Sequence, residues 1–321
     1  MMKPKEKLKN YNLADFTFAN YKSILAYAIK KFEFIHFSRE FFEKTSRQCV
    51  IWRHDIDFSL EAAHFIAKIE ADYGISSTYF VNLHSDFYNL LEKRNTAHIL
   101  AIQALGHPIG LHFDCHYYGI EAGQSLELAL EKDRYTLENI IDRPVEVFSF
   151  HNPTEKILEI RNEIIAGMIN TYAERFFTEI PYCSDSNGMW RHQSIPEVLE
   201  SATAPVIQIL THPAFWVFDK PLPPKQKIWR VLEKQLNTVK TDYDNLLANA
   251  SRANIAEDDF FTPLNIVQPD LLPVLQNLYL LGHSNIVALA LRQLEAEKPL
   301  SDVSKEELML IIERLTHVYQ S

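Results

Sequence analysis

Residues 52–59 read WRHDIDFS and place two acids one residue apart after the apolar run CVIW (49–52), with an arginine and a histidine against them. Burying unpaired charge costs several kcal/mol or more, so these four groups must be solvated, paired with one another or coordinating something. Side chains alternate along a strand, which puts Arg53, Asp55 and Asp57 on one side and His54 on the other if extended geometry persists that far. Two carboxylates at such a strand end can divide the work between holding a cation and taking a proton. An Asp55–Arg53 ion pair with Asp57 capping the following helix accounts for the same residues without chemistry.

Outward from this stretch, residues 47–216 alternate short β-rich runs with amphipathic helical ones, the pattern of parallel strands joined by crossover helices. After CVIW, Ser59 can cap a helix whose apolar positions Ala62, Phe65, Ile66, Ile69 and Tyr73 recur at helical spacing, and Gly74 can end it. SSTYFVN (76–82), GHPIGLHF (106–113), VEVFSF (145–150), GMINTY (167–172) and VIQILT (206–211) read as further strands. Helices are expected around 92–105 and from Ser125 onward. This succession predicts a barrel or a doubly wound sheet, both of which bind ligands at the C-terminal ends of their strands. Past PLPP (221–224) the pattern turns helical, with Ile228, Leu232, Val239, Tyr243 and Leu246 on one stripe and a capping box at Ser304 and Glu307. The expected organisation is therefore 1–222, a barrel with an N-terminal helical extension, and 223–321, a helical appendage suited to homo-oligomerisation.

Composition narrows the classes. With 47% hydrophobic residues among 321 the chain can bury a large core, and a net charge of −10 provides no global field to gather polyanions, which argues against a nucleic-acid partner. No apolar run approaches the ~18 residues of a membrane span. Neither a secretory-type apolar segment follows the basic start nor does an odd set of three cysteines, Cys49, Cys115 and Cys183, suggest a disulfide framework, so the cytoplasm is the expected compartment.

Three further constellations lie at expected strand ends. In GLHFDCH, His112 and His116 are four apart; a helical turn beginning at His112 would put both imidazoles on one face, with Asp114 pointing elsewhere. His212, in ILTHP, follows an apolar run and suits a general acid, and FSFHNPT repeats that pattern at His151. YCSDSNGMW (182–190) contributes Asp185 in a loop. Tyr79, Tyr88, Trp190 and Trp216 stand near strand ends, as sugar-stacking platforms or as core.

In chain order these motifs resemble the polysaccharide deacetylase superfamily, of the NodB-homology or carbohydrate esterase family-four type. RHDID stands for that family's TFDD, HFDCH for its HSxxH-like motif, FHNP for an RxPY-like strand end, SDSNGMW for an Asp/Trp loop and LTH for its LxH. The resemblance spans about residues 48–216 and looks like a divergent branch. It implies a deformed (β/α) barrel and a divalent metal, often zinc. Carried over by position, it makes Asp57, His112 and His116 the metal ligands, Asp55 the general base and His212 the general acid. His151 falls where the family has an arginine that steadies the base, and is counted with the catalytic residues. Because Ile56 separates acids that are adjacent in the family, the roles of Asp55 and Asp57 are open to exchange. The implied function is a metal-dependent hydrolase removing an N-acyl group, acetyl first of all, from a carbohydrate or sugar-nucleotide substrate. The alternatives are a carbohydrate binder on a degenerate barrel and a hydrolase of a non-sugar amide.

Overall fold

The structure, a computed structural model, describes residues 12–38, 47–120, 125–190, 192–252, 254, 271, 274, 275, 278, 284–299 and 302–320. The basic start of the chain, residues 1–11, lies outside them. Helix α1 (Phe18–Lys31) leads to β1 (Phe32–Ile35), β2 (Gln48–Ile56), α2 (Leu60–Asp72) and β3 (Thr78–Val81). Then come α3 (Lys93–Ala104), β4 (Ile109–Asp114), α4 (Leu126–Ile141) and β5 (Val147–His151). The short elements α5 (Glu155–Leu158), β6 (Ile164–Ile165), β7 (Met168–Asn170), α6 (Glu174–Phe177) and β8 (Tyr182–Ser184) precede α7 (Ile195–Ser201) and β9 (Val206–Thr211). Three longer helices follow: α8 (Pro224–Asn249), α9 (Ser284–Glu295) and α10 (Lys305–Gln320).

The strands form one sheet in the order β6-β7-β5-β4-β3-β2-β9-β8, with β1 also on β2, and only the β6–β7 pair is antiparallel. Although β7 and β8 stand far apart in that order, Thr171 and Tyr172 beyond β7 and Tyr182 and Ser184 of β8 line the same cavity. The sheet therefore curls around its interior into a deformed (β/α) barrel, left unpaired between the β6–β7 hairpin and β8 among the described residues.

Hydrophobic layers cover the sheet on its outside. Leu60, Ala63, Ile99, Leu130 and Leu137 pack over β3, β4 and β5, while Tyr21, Leu25, Trp52, Ile66 and Leu199 pack over β2 and β9. Inside, Ile51, Phe80, Val147, Ile169, Phe176 and Val206 close the lower part of the barrel. Gly110 makes that closure possible, since a Cβ there would lie 2.6 Å from the Phe80 ring and 3.1 Å from Val147.

Several local expectations hold. The Ser59 hydroxyl accepts from the Ala62 amide at the start of α2, and Gly74 beyond its end has φ +70°. Ser304 and Glu307 close a reciprocal cap on α10. Strand β2, however, runs on through the charged residues to Ile56 instead of ending at Trp52, because Arg53, His54 and Asp55 all find partners on the two sides of the sheet. YCS (182–184), expected in a loop, is an edge strand.

Two compact units divide the chain at residues 1–237 and 238–321. The second has its own cluster, built around Leu275, Val287, Ala290, Leu294 and Leu308. Among the described residues no helix is long and apolar enough to cross a membrane.

Candidate active site

Alternation along β2 sorts its ionisable groups. His54 faces the outer layer, where its ring lies 2.8 Å from the Glu70 carboxylate and 2.7 Å from the Thr211 hydroxyl. Arg53 and Asp55 face the barrel interior, and Asp57 follows on the same side. One guanidinium nitrogen, Arg53 Nη2, donates to Asp55 Oδ2 and to Ser149 Oγ, both at 2.9 Å. The ion pair of the non-catalytic reading thus exists, whereas the helix cap is Ser59 and not Asp57. Asp55 Oδ1 is buried and has no hydrogen-bond partner among the described residues.

Asp57, His112 and His151 bring one donor atom each within 4.8 Å of one another. Asp57 Oδ1 lies 3.2 Å from His112 Nε2 and 4.0 Å from His151 Nε2. That oxygen is buried and lacks an aligned hydrogen-bond donor. Burial would raise the Asp57 pKa, but His112 beside it and the charges of His212 and His151 outweigh this and hold it at about 2. Behind the cluster, His112 Nδ1 is 3.3 Å from Ser149 Oγ and His151 Nδ1 is 3.2 Å from Asp114 Oδ2. Each imidazole is thereby oriented from its far side so that Nε2 faces Asp57, the arrangement in which a carboxylate or hydroxyl orients a metal-binding histidine. An anionic oxygen without a donor, facing two imidazole nitrogens, fits a divalent cation.

The helical turn that would have joined His116 to His112 does not form. β4 continues through Asp114, so His112 and Asp114 share a face. Asp114 Oδ1 then accepts from the amides of His116 and Tyr117, turning the chain away, and the His116 ring donates to the Asn152 carbonyl at 3.1 Å. His151 occupies the place expected of His116. Asp114, expected to point elsewhere, orients His151.

On the opposite side of Asp57, His212 Nε2 stands 3.7 Å from Asp57 Oδ2. Its Nδ1 is 2.6 Å from Asp185 Oδ1, and Asp185 Oδ2 accepts from the His212 amide and from Trp216 Nε1. Burial would lower the His212 pKa, but the charge and hydrogen bond of Asp185, with Asp57 and Asp55 adding to them, raise it to about 9. Asp185 is fully buried at the start of the 3₁₀ turn Ser186–Gly188, and only its place in the SDSNGMW loop pointed to it.

These groups stand in a cavity of about 410 Å³, a size suited to a small ligand. None of the aromatic residues considered for sugar stacking lines it. Tyr79, Tyr88 and Trp216 are buried, and Trp190 stacks on Phe16 with ring centroids 4.5 Å apart. The cavity's aromatic walls are Phe150, Tyr172, Phe176, Phe177 and Tyr182.

No protein-family model and no curated protein matches the chain. Among solved structures it is similar to the polysaccharide deacetylase Bc1974 from Bacillus cereus, at 18% identity and a TM-score of 0.35 over 59% of this chain and 89% of that one. It is also similar to the peptidoglycan deacetylase PdaC from Bacillus subtilis, at 12% identity and a TM-score of 0.34, or 0.37 for a singly substituted form, over 65% and 98% of the two chains. A third is the catalytic domain of a peptidoglycan N-acetylglucosamine deacetylase from Eubacterium rectale, at 15% identity and 0.36 over 59% and 84%. All three of these solved structures are described as deacetylases. At such identities and scores they add nothing to the site beyond its own geometry.

Proposed function

We propose that this chain is a metal-dependent amide hydrolase that removes an N-acyl group, acetyl in the first instance, from an amino sugar or a sugar-containing precursor such as a nucleotide sugar. The observation that carries this is the buried, donorless Asp57 Oδ1 set against His112 Nε2 and His151 Nε2, with a carboxylate and a histidine on either side. Asp57, His112 and His151 would hold the ion, and two nitrogens and one oxygen with an open fourth position suit zinc. Bound there, a divalent cation supplies Lewis acidity, polarising an amide carbonyl and acidifying water.

The protein's own groups do the rest. Arg53 fixes one oxygen of Asp55 and leaves Oδ1 to accept a proton from the attacking water. Arg53 thus takes the steadying role that the family resemblance gave to an arginine at the position of His151. With its pKa raised to about 9, His212 is protonated at neutral pH and can protonate the departing amine, which would otherwise leave as an anion. Asp185 holds that imidazole by Nδ1 and keeps the Nε2 proton directed at the site.

The test is acetate release from a panel of N-acetylated amino sugars and nucleotide sugars, before and after chelation and with zinc restored. Release that chelation abolishes and zinc restores is expected. Zinc-loaded protein that releases acetate from none of them, or chelated protein that is equally active, contradicts the proposal.

A further inference from the structure

Lys227, near the start of α8, is fully buried. Its ammonium donates not to a carboxylate but to two backbone carbonyls, those of Phe16 and Phe215, the latter at 2.9 Å. Burying a cation is costly unless its donors are satisfied, and burial does lower this pKa to about 8 against the opposing charge of Asp185. The ammonium does what an apolar side chain of that length cannot: it ties the two carbonyls together.

Both carbonyls flank Trp216. Phe215 precedes it in the chain, at the end of the turn Pro213–Phe215 that follows His212, and the Phe16 ring lies 5.1 Å from the Trp216 ring. Trp216 is itself buried and gives its indole N–H to Asp185 Oδ2, while Asp185 Oδ1 lies 2.6 Å from His212 Nδ1. A second contact presses from the same helix. Gly188 closes the turn begun by Asp185, and a Cβ on it would lie 2.9 Å from the Phe215 ring and 3.1 Å from Pro224, the first residue of α8. The start of α8 thus bears on both turns that hold the acid, the one after Asp185 and the one after His212. It lies outside the stretch 48–216 that carries the family resemblance.

We propose that Lys227 is a positioning residue for His212: it fixes the Phe215 carbonyl and, through it, Trp216 and Asp185. This rests on the hydrolase reading, in which His212 protonates the departing amine. A loosened acid slows only those reactions whose leaving group needs a proton.

The test compares zinc-loaded wild type with Lys227→Met, which keeps much of the length and loses the donors, on an N-acetylated amino sugar and on 4-nitrophenyl acetate, whose nitrophenolate departs without protonation. Acetate release from the sugar is expected to fall about tenfold or more, a part of the ~100-fold or more that a general acid contributes, with ester cleavage unchanged. The indole N–H resonance of Trp216, identified by its loss in Trp216→Phe, should move upfield and exchange faster as its bond to Asp185 slackens. Lys227→Gln, which keeps N–H donors, should show the same selective loss to a smaller degree, and melting curves establish which variants fold. An equal loss on both substrates, an unchanged rate on the sugar, an unmoved indole resonance, or failure of both variants to fold overturns the positioning role. If the wild type releases no acetate from any sugar, the hydrolase proposal fails, and the indole resonance still decides whether Lys227 sets the Trp216–Asp185 bond.

Discussion

Asp55 and Asp57 lie two residues apart and on the same side of the chain, yet their partners separate their roles. Arg53 holds Asp55 at 2.9 Å, while Asp57 faces two imidazole nitrogens and no aligned donor. Asp55→Asn is accordingly expected to keep zinc affinity while lowering turnover at least ~100-fold, the lower end for loss of a general base; zinc binding and acetate release measured on one preparation check this. Asp114 acts through His151, which it touches at 3.2 Å. Asp114→Ala should weaken zinc affinity about 10–100-fold, as loss of an outer-shell partner does. An unchanged affinity in a competition titration would remove Asp114 from that role. Most of these residues were legible from motif and strand alternation, including the division of Arg53 and Asp55 from His54. His151 as a member of the cluster was not, because a spacing of four between His112 and His116 imitates a helical face. The alternation of Ile109, Leu111 and Phe113 with Gly110, His112 and Asp114 was the competing signal, and the strand it describes carries on past His112.

At the scale of elements, β4 does two things: it presents His112 at its end and, at Gly110, leaves room for the ring of Phe80. That ring in turn lies 5.1 Å from the Arg53 guanidinium. Gly110→Ala would force Phe80, which packs beside the group that holds Asp55, to shift. A loss of about 1–3 kcal/mol is expected, as for overpacking of a core, together with reduced activity in the fraction that remains folded. Urea melts and specific activity check it, and a variant as stable and active as the wild type would show that Phe80 has room to give. The long strands and amphipathic helices were readable because period and caps agreed over many residues. The two- to four-residue strands β1, β6 and β8 offer too few positions for a period to register, and β8 was hidden among the turn-forming residues that follow it.

Across the whole barrel unit, Glu70 ties the outer layers to the sheet. It is fully buried on α2 and accepts from Tyr21 of α1 at 2.6 Å and Tyr79 of β3 at 2.7 Å, with the His54 ring of β2 at 2.8 Å. Burial would raise its pKa, but the charge and hydrogen bond of His54, then His107 and Tyr21, bring it below the ordinary carboxylate value. A carboxylate depressed by folding contributes stability that is present above its unfolded pKa of about 4.3 and is lost as pH falls through its folded value. Glu70→Gln is therefore expected to cost about 3 kcal/mol near neutral pH, the lower end for breaking a buried pair. The gap between wild type and variant should narrow as urea melts are taken below about pH 4; parallel stability curves would contradict the assignment. Nothing in the sequence marks this network, since Glu70 follows the helical apolar stripe as any solvated acid might, and only the packing of four elements shows that it faces inward.

The most direct measurement is the zinc content and affinity of the wild type, His151→Ala and His116→Ala, compared at one pH. One tightly held ion in the wild type, retained by His116→Ala and lost by His151→Ala, is the expected result. Retention in His151→Ala with loss in His116→Ala would contradict the cluster of Asp57, His112 and His151 and the reaction built on it.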